Sequence, residues 1–370
     1  MTVKKIRAVD FRNIESCEVS FSEGANLLLG NNAEGKTNLL EAIYFFARGK
    51  SFRGATDKEL CRFGANGYLI ELEFFGGGRE QTLTYRFYEG SKLKKRNGAL
   101  MEKAAEMLGH FRAVLFYPEH LQLVKGSPAL RREFLNIAIS QIDPSYIPLY
   151  ASYQKILDNR NALLKTAQKG GYFEEEEYRV WSERLSEAAA RISYTRYLYV
   201  DKIKEVAKDI LYELSGKKEI LSVSYHSEVD FDSTEEMKKR YIDLFVSDIR
   251  REIAAGFTVF GPHHDDLSLI INERSAREFA SQGQQRSISL ALKLAEGEVC
   301  KRECGEYPVF LFDDVMSELD PSRRNFLLSK LEKRQLILTA CEDGGFTENG
   351  ARIIKTEGGR YEDTDKQGNA

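Results

Sequence analysis

The chain has 370 residues, more than a single hydrophobic core usually organises, so two or three lobes are expected. Its 54 Lys and Arg against 57 Asp and Glu leave a net charge of −3, which excludes a globally basic nucleic-acid binder and confines any such contact to a local patch. No run of about 18 apolar residues occurs, and Met1-Thr2-Val3-Lys4-Lys5-Ile6-Arg7 lacks the apolar centre of a signal peptide, so a cytoplasmic protein without a membrane partner is expected.

Val3 to Phe11 and Glu18 to Phe21 read as strands, followed by the short apolar strand Ala25-Asn26-Leu27-Leu28-Leu29. Next comes Gly30-Asn31-Asn32-Ala33-Glu34-Gly35-Lys36-Thr37, which fits G-x-x-x-x-G-K-[ST] at every fixed position, and then Asn38 to Phe45 with apolar residues at helical spacing. Strand, glycine loop and helix are the context a phosphate-binding loop requires. Gly30 and Gly35 permit the tight turn that lines up backbone N–H groups around a polyphosphate, and the helix aims its positive N-terminal end at the same anion. Lys36 is expected to reach the β- and γ-phosphates and Thr37 to place its hydroxyl on Mg²⁺. A nucleotide is therefore the first expected ligand.

Tyr68 to Phe75 and Gln81 to Tyr88 are expected strands of a hairpin that turns at Gly76-Gly77-Gly78. A second hairpin turn is expected at Asn97-Gly98, after the basic cluster Lys92, Lys94, Lys95 and Arg96, which suits either DNA phosphates or a solvated edge. From about Ser127 to Gly216 helical spacing dominates: Leu185, Ile192, Tyr199 and Val206 repeat every seven residues beside Ala189, Ile203 and Ile210. Arg196 interrupts the second row, so a packed helical subdomain is expected rather than a long coiled coil. Glu174 to Glu177 suit the positive end of a helix. Ile220 to Tyr225 alternates like a strand, and Thr234 to Ala255 reads as one further helix.

Near the C-terminal end, Pro308-Val309-Phe310-Leu311-Phe312-Asp313-Asp314 has the pattern of a buried parallel strand that ends by delivering carboxylates to Mg²⁺, a Walker B strand, with Asp313 on the metal or its water. Upstream, Ser281-Gln282-Gly283-Gln284-Gln285 opens an apolar helix whose free N–H groups suit a γ-phosphate, although alone such a stretch is more often an ordinary helix cap. Cys17, Cys61, Cys300, Cys304 and Cys341 are scattered; only Cys300 and Cys304 fall one helical turn apart, too few ligands for zinc.

Taken in order, the phosphate loop, Ser281 to Gln285, the Walker B strand and Ser317-Glu318-Leu319-Asp320 resemble the phosphate loop, signature, Walker B and D-loop of ABC-type ATPases. That resemblance implies two heads meeting head to tail around two ATP molecules, with Ser281, Gln282, Gly283 and Gln284 of one subunit closing over the nucleotide of the other. Asp314 stands where that family carries the glutamate that orients the attacking water, a shorter carboxylate suited to slow hydrolysis.

The short insertion between loop and signature is similar to the SMC-like arrangement, and further stretches resemble the RecF family: Phe11-Arg12-Asn13, Phe116-Tyr117-Pro118-Glu119-His120-Leu121, Val124-Lys125-Gly126-Ser127-Pro128, Arg131-Arg132-Glu133-Phe134-Leu135 and Gly261-Pro262-His263-His264-Asp265-Asp266-Leu267. His264 departs from the arginine of that family's pattern, and Leu336 to Cys341 lacks the switch histidine of transporter cassettes. The resemblance implies an α/β ABC-type ATPase head, a mixed sheet with phosphate loop and flanking helices, interrupted by a short helical arm: residues 1–125 and 236–370 as head, 126–235 as arm.

It further implies an ATP- and Mg²⁺-dependent homodimer that clamps DNA at gaps or junctions, acts with RecR and RecO to load recombinase onto SSB-coated strands, and uses weak DNA-stimulated ATP hydrolysis as a switch. Arg12 and Asn13 either face the nucleotide or close a strand edge; His263 either serves the catalytic site or caps a turn; Glu119 and Gln122 compete for the Q-loop position. Lys94, Lys95, Arg131 and Arg132 are candidate phosphate contacts. The alternatives are a cassette energising a membrane transporter and an overcoming-lysogenization-type nuclease, for which the stretch after Walker B is too short.

Overall fold

Strands with one buried face come first. In the computed structural model, which describes residues 1–102, 104–230, 232–346 and 350–363, β1 (Thr2–Phe11) and β2 (Ile14–Ser20) pair as a hairpin and β3 (Ala25–Leu29) runs into the glycine loop. Helix α1 (Lys36–Arg48) starts directly from that loop, followed by α2 (Asp57–Leu60), β4 (Gly67–Gly76), β5 (Arg79–Tyr88), β6 (Ser91–Arg96), β7 (Ala99–Leu100) and β8 (Ala113–Phe116). Gly77-Gly78 and Asn97-Gly98 take the positive φ angles of two-residue hairpin loops, as expected from their composition. Glu89-Gly90 forms a third such turn, which places the basic cluster on β6 itself.

The chain continues through α3 (Pro128–Ile142), α4 (Tyr146–Gln168), α5 (Glu175–Leu214), β9 (Leu221–His226), α6 (Thr234–Ser247), α7 (Ile249–Ala255), β10 (Asp266–Ile271), β11 (Arg274–Ser275) and α8 (Ala276–Phe279). It closes with α9 (Gln282–Cys304), β12 (Val309–Phe312), α10 (Pro321–Leu331), β13 (Leu336–Ala340), β14 (Arg352–Glu357) and β15 (Arg360–Asp363). Two compact units result, one of Met1–Gln122 with Arg286–Ala370, the other of Leu123–Gln285. The first border lies close to the expected one, but the second falls at residue 285 instead of 235. The reason is pairing: β9 joins β10 in an antiparallel sheet that packs on α5 and α3, which draws the residues after 235 into the inserted unit.

The first unit holds the expected mixed sheet and a second, antiparallel one. One is antiparallel, in the order β2-β1-β4-β5-β6-β7; the other runs β15-β14-β3-β13-β12-β8 and is parallel apart from β15. Helix α1 packs on strands of both, and its Leu39, Ile43 and Phe46 share a core with Ile6, Ile70, Leu72, Leu311 and Ile337. β12 and the first four residues of β13 are buried, as near-continuous apolar runs in parallel sheets dictate.

In the second unit α5 runs 40 residues from its acidic first turn, and the seven-residue row Leu185, Ile192, Tyr199 and Val206 is buried. Arg196, the residue that interrupts the pattern, is buried too. It donates to Pro262 O at 2.6 Å and Asn136 Oδ1 at 2.8 Å, so an apparent break in a hydrophobic face is a cross-link between helices and the Gly261–Leu267 turn. Asp265 in that turn accepts from Ser193 at 2.8 Å and Tyr225 at 2.5 Å. The single helix expected over Thr234 to Ala255 is broken at Asp248, where Glu252 turns inward to meet the buried Arg160 guanidinium at 2.5 Å.

Candidate functional site

The glycine loop ends in a helix that has no side-chain cap. Gly35, at φ 108°, precedes α1, so no side chain caps the first N–H groups of the helix. Lys36 is almost fully buried, and its Nζ folds back to donate to Gly30 O at 2.5 Å and Asn31 O at 2.8 Å. Cys341 Sγ lies 3.7 Å from the same Nζ and donates to Asn32 Oδ1 at 3.0 Å.

Thr37 donates from its hydroxyl to Asp313 Oδ1 at 2.8 Å, which brings the loop and the end of β12 together. Thr339 on β13 donates to the same Oδ1 at 3.0 Å and accepts from the Asp314 N–H at 2.8 Å. Burial pushes the Asp313 carboxyl above its usual range, an effect that the Thr37 and Thr339 hydroxyls partly offset. Asp314 takes φ 53°, which turns the chain out of the strand and leaves its carboxylate exposed. These residues border an open cavity of about 380 Å³ lined by Asn13, Asn32, Ala33, Gly35, Lys36, Thr37, Asn38, Arg53, Asp314 and Thr339.

The paired expectation for Arg12 and Asn13 divides. Asn13 lines the cavity and accepts from Asn38 Nδ2 at 2.7 Å. Arg12 is not among the described lining residues; its guanidinium grips the buried Glu41 with two bonds of 2.9 Å, closing the strand edge. Burial would raise the Glu41 carboxyl, but Arg12, Arg53 and Ser51 outweigh it and hold the group below its ordinary value. Glu34 likewise does not line the cavity, because its carbonyl and carboxylate take N–H groups from Gly359 and Gly358. Glu119 and Gln122 sit exposed on a 3-10 turn, Pro118–Leu123, and neither is among the described lining residues.

Ser281 belongs to the second unit. Its hydroxyl accepts from Gln284 N at 3.2 Å while Gln284 Oε1 accepts from Ser281 N at 2.9 Å, a reciprocal cap at the start of α9. His263 is held in a turn: it accepts from the Tyr153 hydroxyl at Nδ1, 2.5 Å away, and donates from Nε2 to Thr258 O at 3.1 Å. Burial, with His264 next to it, lowers its pKa to about 4, so the ring is neutral at pH 7. His264 donates to the same carbonyl at 3.2 Å.

Arg131 is corrected outright as a candidate DNA contact. It is buried, forks onto Asp266 at 2.7 and 2.8 Å, and donates to the carbonyls of Leu123, Val124 and Gly126. Arg132 donates to Asp265 O at 2.9 Å. Sequence reasoning missed Arg53, Asn38 and Thr339 as cavity residues. Thr339 had one available signal, since it sits on the strand after Walker B where a polar residue interrupts an apolar run.

A family model described as the RecF/RecN/SMC N terminal domain matches residues 2–359. The DNA replication and repair protein RecF of an Exiguobacterium species is 39% identical over 370 residues, covering 98% of this chain and 99% of that protein. The protein of the same description from Desulfitobacterium hafniense is 36% identical over 361 residues, covering 97% and 99%. A solved structure of the recombination mediator protein RecF-ATPrS in the RecFOR pathway superposes with a TM-score of 0.91 at 34% identity, covering 98% of each chain. An Smc head bound to the C-winged helix domain of ScpA shares the fold, with a TM-score of 0.57 at 16% identity.

Proposed function

The chain belongs to the RecF family of SMC-like ABC-type ATPases, and from that membership we propose that it acts in DNA replication and repair as an ATP-switched DNA clamp. The observation that carries this reading is the 2.8 Å bond between Thr37 and Asp313, which joins phosphate loop and Walker B strand beside one open cavity.

The donor set suits Mg·ATP. No side chain caps the first N–H groups of α1, which suits phosphate oxygens, and Lys36 adds a cation already tethered to the loop. The Thr37 hydroxyl and Asp313 carboxylate offer two oxygens to a hard cation. Thr37 and Asp313 would hold Mg²⁺, which when bound would supply charge neutralisation to the phosphate chain. Asp314, exposed at the cavity wall and oriented through its N–H by Thr339, is placed to accept a proton from the attacking water. Ser281 to Gln284 of a second copy close over the γ-phosphate, ATP binding draws the two heads together around DNA, and slow hydrolysis, stimulated by DNA, releases them. Through the clamp the protein works with RecR and RecO to load recombinase at gapped, SSB-coated sites, in the cytoplasm. The relative described as part of the RecFOR pathway supports that partnership. No helix among the described residues is long and apolar enough to cross a membrane, and family membership disfavours the transporter cassette.

The test is a gel shift of gapped against blunt duplex with ATP, for wild type, Lys36→Ala and Asp314→Asn. ATP-dependent retention of gapped DNA, lost in Lys36→Ala and prolonged in Asp314→Asn, is the expected result. Absence of ATP-dependent DNA binding by the wild type in low salt would sink the reading.

A further inference from the structure

Two consecutive carbonyls of the phosphate loop are held from outside by the hairpin β14–β15. The Gly359 N–H donates to Glu34 O at 2.8 Å, and the Tyr361 hydroxyl donates to Gly35 O at 2.9 Å. The Gly358 N–H reaches the Glu34 carboxylate as well. Gly358 and Gly359 take φ of 53° and 78°, which presents their N–H groups side by side at the turn. Tolerances are small: a Cβ on Gly30 would come within 2.2 Å of Thr356 O, and one on Gly359 within 2.7 Å of Asn13 O.

In a planar trans peptide the C=O and the following N–H point in opposite directions. Holding Glu34 O and Gly35 O against the hairpin therefore turns the N–H groups of Gly35 and Lys36 to the other side of the loop, and both residues line the cavity. Gly35 O also accepts the first helical bond of α1, from Leu39 N at 3.1 Å, so Tyr361 acts on the peptide where loop becomes helix. Burial, and then Cys17, pushes the Tyr361 phenol upward, so its hydroxyl remains a donor across neutral pH.

We propose that Tyr361, together with the Gly358-Gly359 turn, is a positioning element for the nucleotide: the hairpin keeps two loop amides aimed at the phosphate chain before the nucleotide arrives. The inference rests on the ATP reading above. Tyr361 bonds to the loop and is not among the residues described as lining the cavity, so its effect is on affinity and not on the chemical step.

The experiment compares wild type, Tyr361→Phe, Gly359→Ala and Arg360→Ala, the last an exposed residue of the same hairpin. Calorimetry with ADP, ATP steady-state kinetics and amide hydrogen exchange of the nucleotide-free protein are the readouts. Loss of one hydrogen bond in Tyr361→Phe is expected to raise the ADP Kd and the ATP KM about three- to tenfold with kcat at saturation held within about twofold. Exchange at Gly35 to Thr37 quickens in Tyr361→Phe and more in Gly359→Ala, while Arg360→Ala behaves as wild type. Wild-type ADP affinity and wild-type loop exchange in Tyr361→Phe would overturn the inference and leave the ATP reading standing. A wild-type chain that does not bind ADP overturns the ATP reading, and this inference with it.

Discussion

Gly297 of α9 stands so close to Phe310 of β12 that a Cβ added to the glycine would lie 2.3 Å from the ring's Cζ. Helix propensity alone favours alanine over a mid-helix glycine by about 1 kcal/mol. The ring is fully buried, so the overlap decides the sign, and Gly297→Ala is expected to destabilise the protein by roughly 1–3 kcal/mol in urea unfolding. Phe310→Leu combined with it should recover much of the loss, as a double-mutant cycle would reveal. A Gly297→Ala protein as stable as wild type would mean the ring moves aside freely.

Asp313 carries a stability cost that comes from its burial. Its folded pKa is raised by burial above the unfolded value, so the native state holds a proton more tightly than the unfolded chain, and stability falls as pH rises through the window between the two values. Asp313→Asn removes that penalty. The variant is expected to melt at equal or higher temperature than wild type at pH 7 without nucleotide, and to lose stabilisation by Mg·ATP together with ATP hydrolysis. Thermal melts with and without Mg·ATP at pH 5 and 7 check both halves; a lower nucleotide-free melting temperature at pH 7 would contradict the assigned cost.

Ser281→Arg separates the two halves of the proposed composite site. Ser281 caps α9 in the second unit, and its loss as a cap costs about 1 kcal/mol. ADP affinity is expected to stay within about twofold of wild type, because the loop residues proposed to hold the nucleotide belong to the first unit. Dimerisation driven by ATP should vanish. Light scattering with and without ATP is the measurement, and a Ser281→Arg chain that still dimerises on ATP would show that Ser281 does not meet the nucleotide.

What the sequence revealed was contiguous. Gly30 to Thr37 and Val309 to Asp314 declare their chemistry within a few residues, since a strand, a turn and a helix start must occur in that order to build a loop or deliver a carboxylate. Asn97-Gly98 was readable because two successive positive φ angles demand those residue types. Thr339 and Tyr361 were not, because each reaches the loop region only through sheet pairing and packing across long sequence separations, and Arg53 was not, because it stands in an irregular segment after α1 that no local pattern directs to the cavity. The end of the inserted unit was hidden for the same reason: β9 and β10 pair across about forty residues, and no local pattern marks that register. Arg131 misled, since a cation near a motif reads as a ligand contact until its carboxylate partner and acceptor carbonyls are seen, whereas for Arg12 the sequence had left the strand-edge role open beside the nucleotide-facing one.

Arg131 therefore makes a sharp contrast with Lys94 and Lys95. Its guanidinium satisfies Asp266 and three backbone carbonyls at once, so Arg131→Ala is expected to cost about 2–4 kcal/mol of stability. Arg131→Lys should be nearly as damaging, because an ammonium cannot reproduce the planar fork. Lys94 and Lys95 lie half-buried on β6. Replacing both by alanine should leave the urea midpoint unchanged, and if β6 faces DNA it should weaken binding and shrink the slope of log affinity against log salt by about one to two. Urea melts and salt titrations on the same three variants decide the matter: a reduced salt slope in an Arg131 variant of wild-type stability would return that residue to the DNA interface.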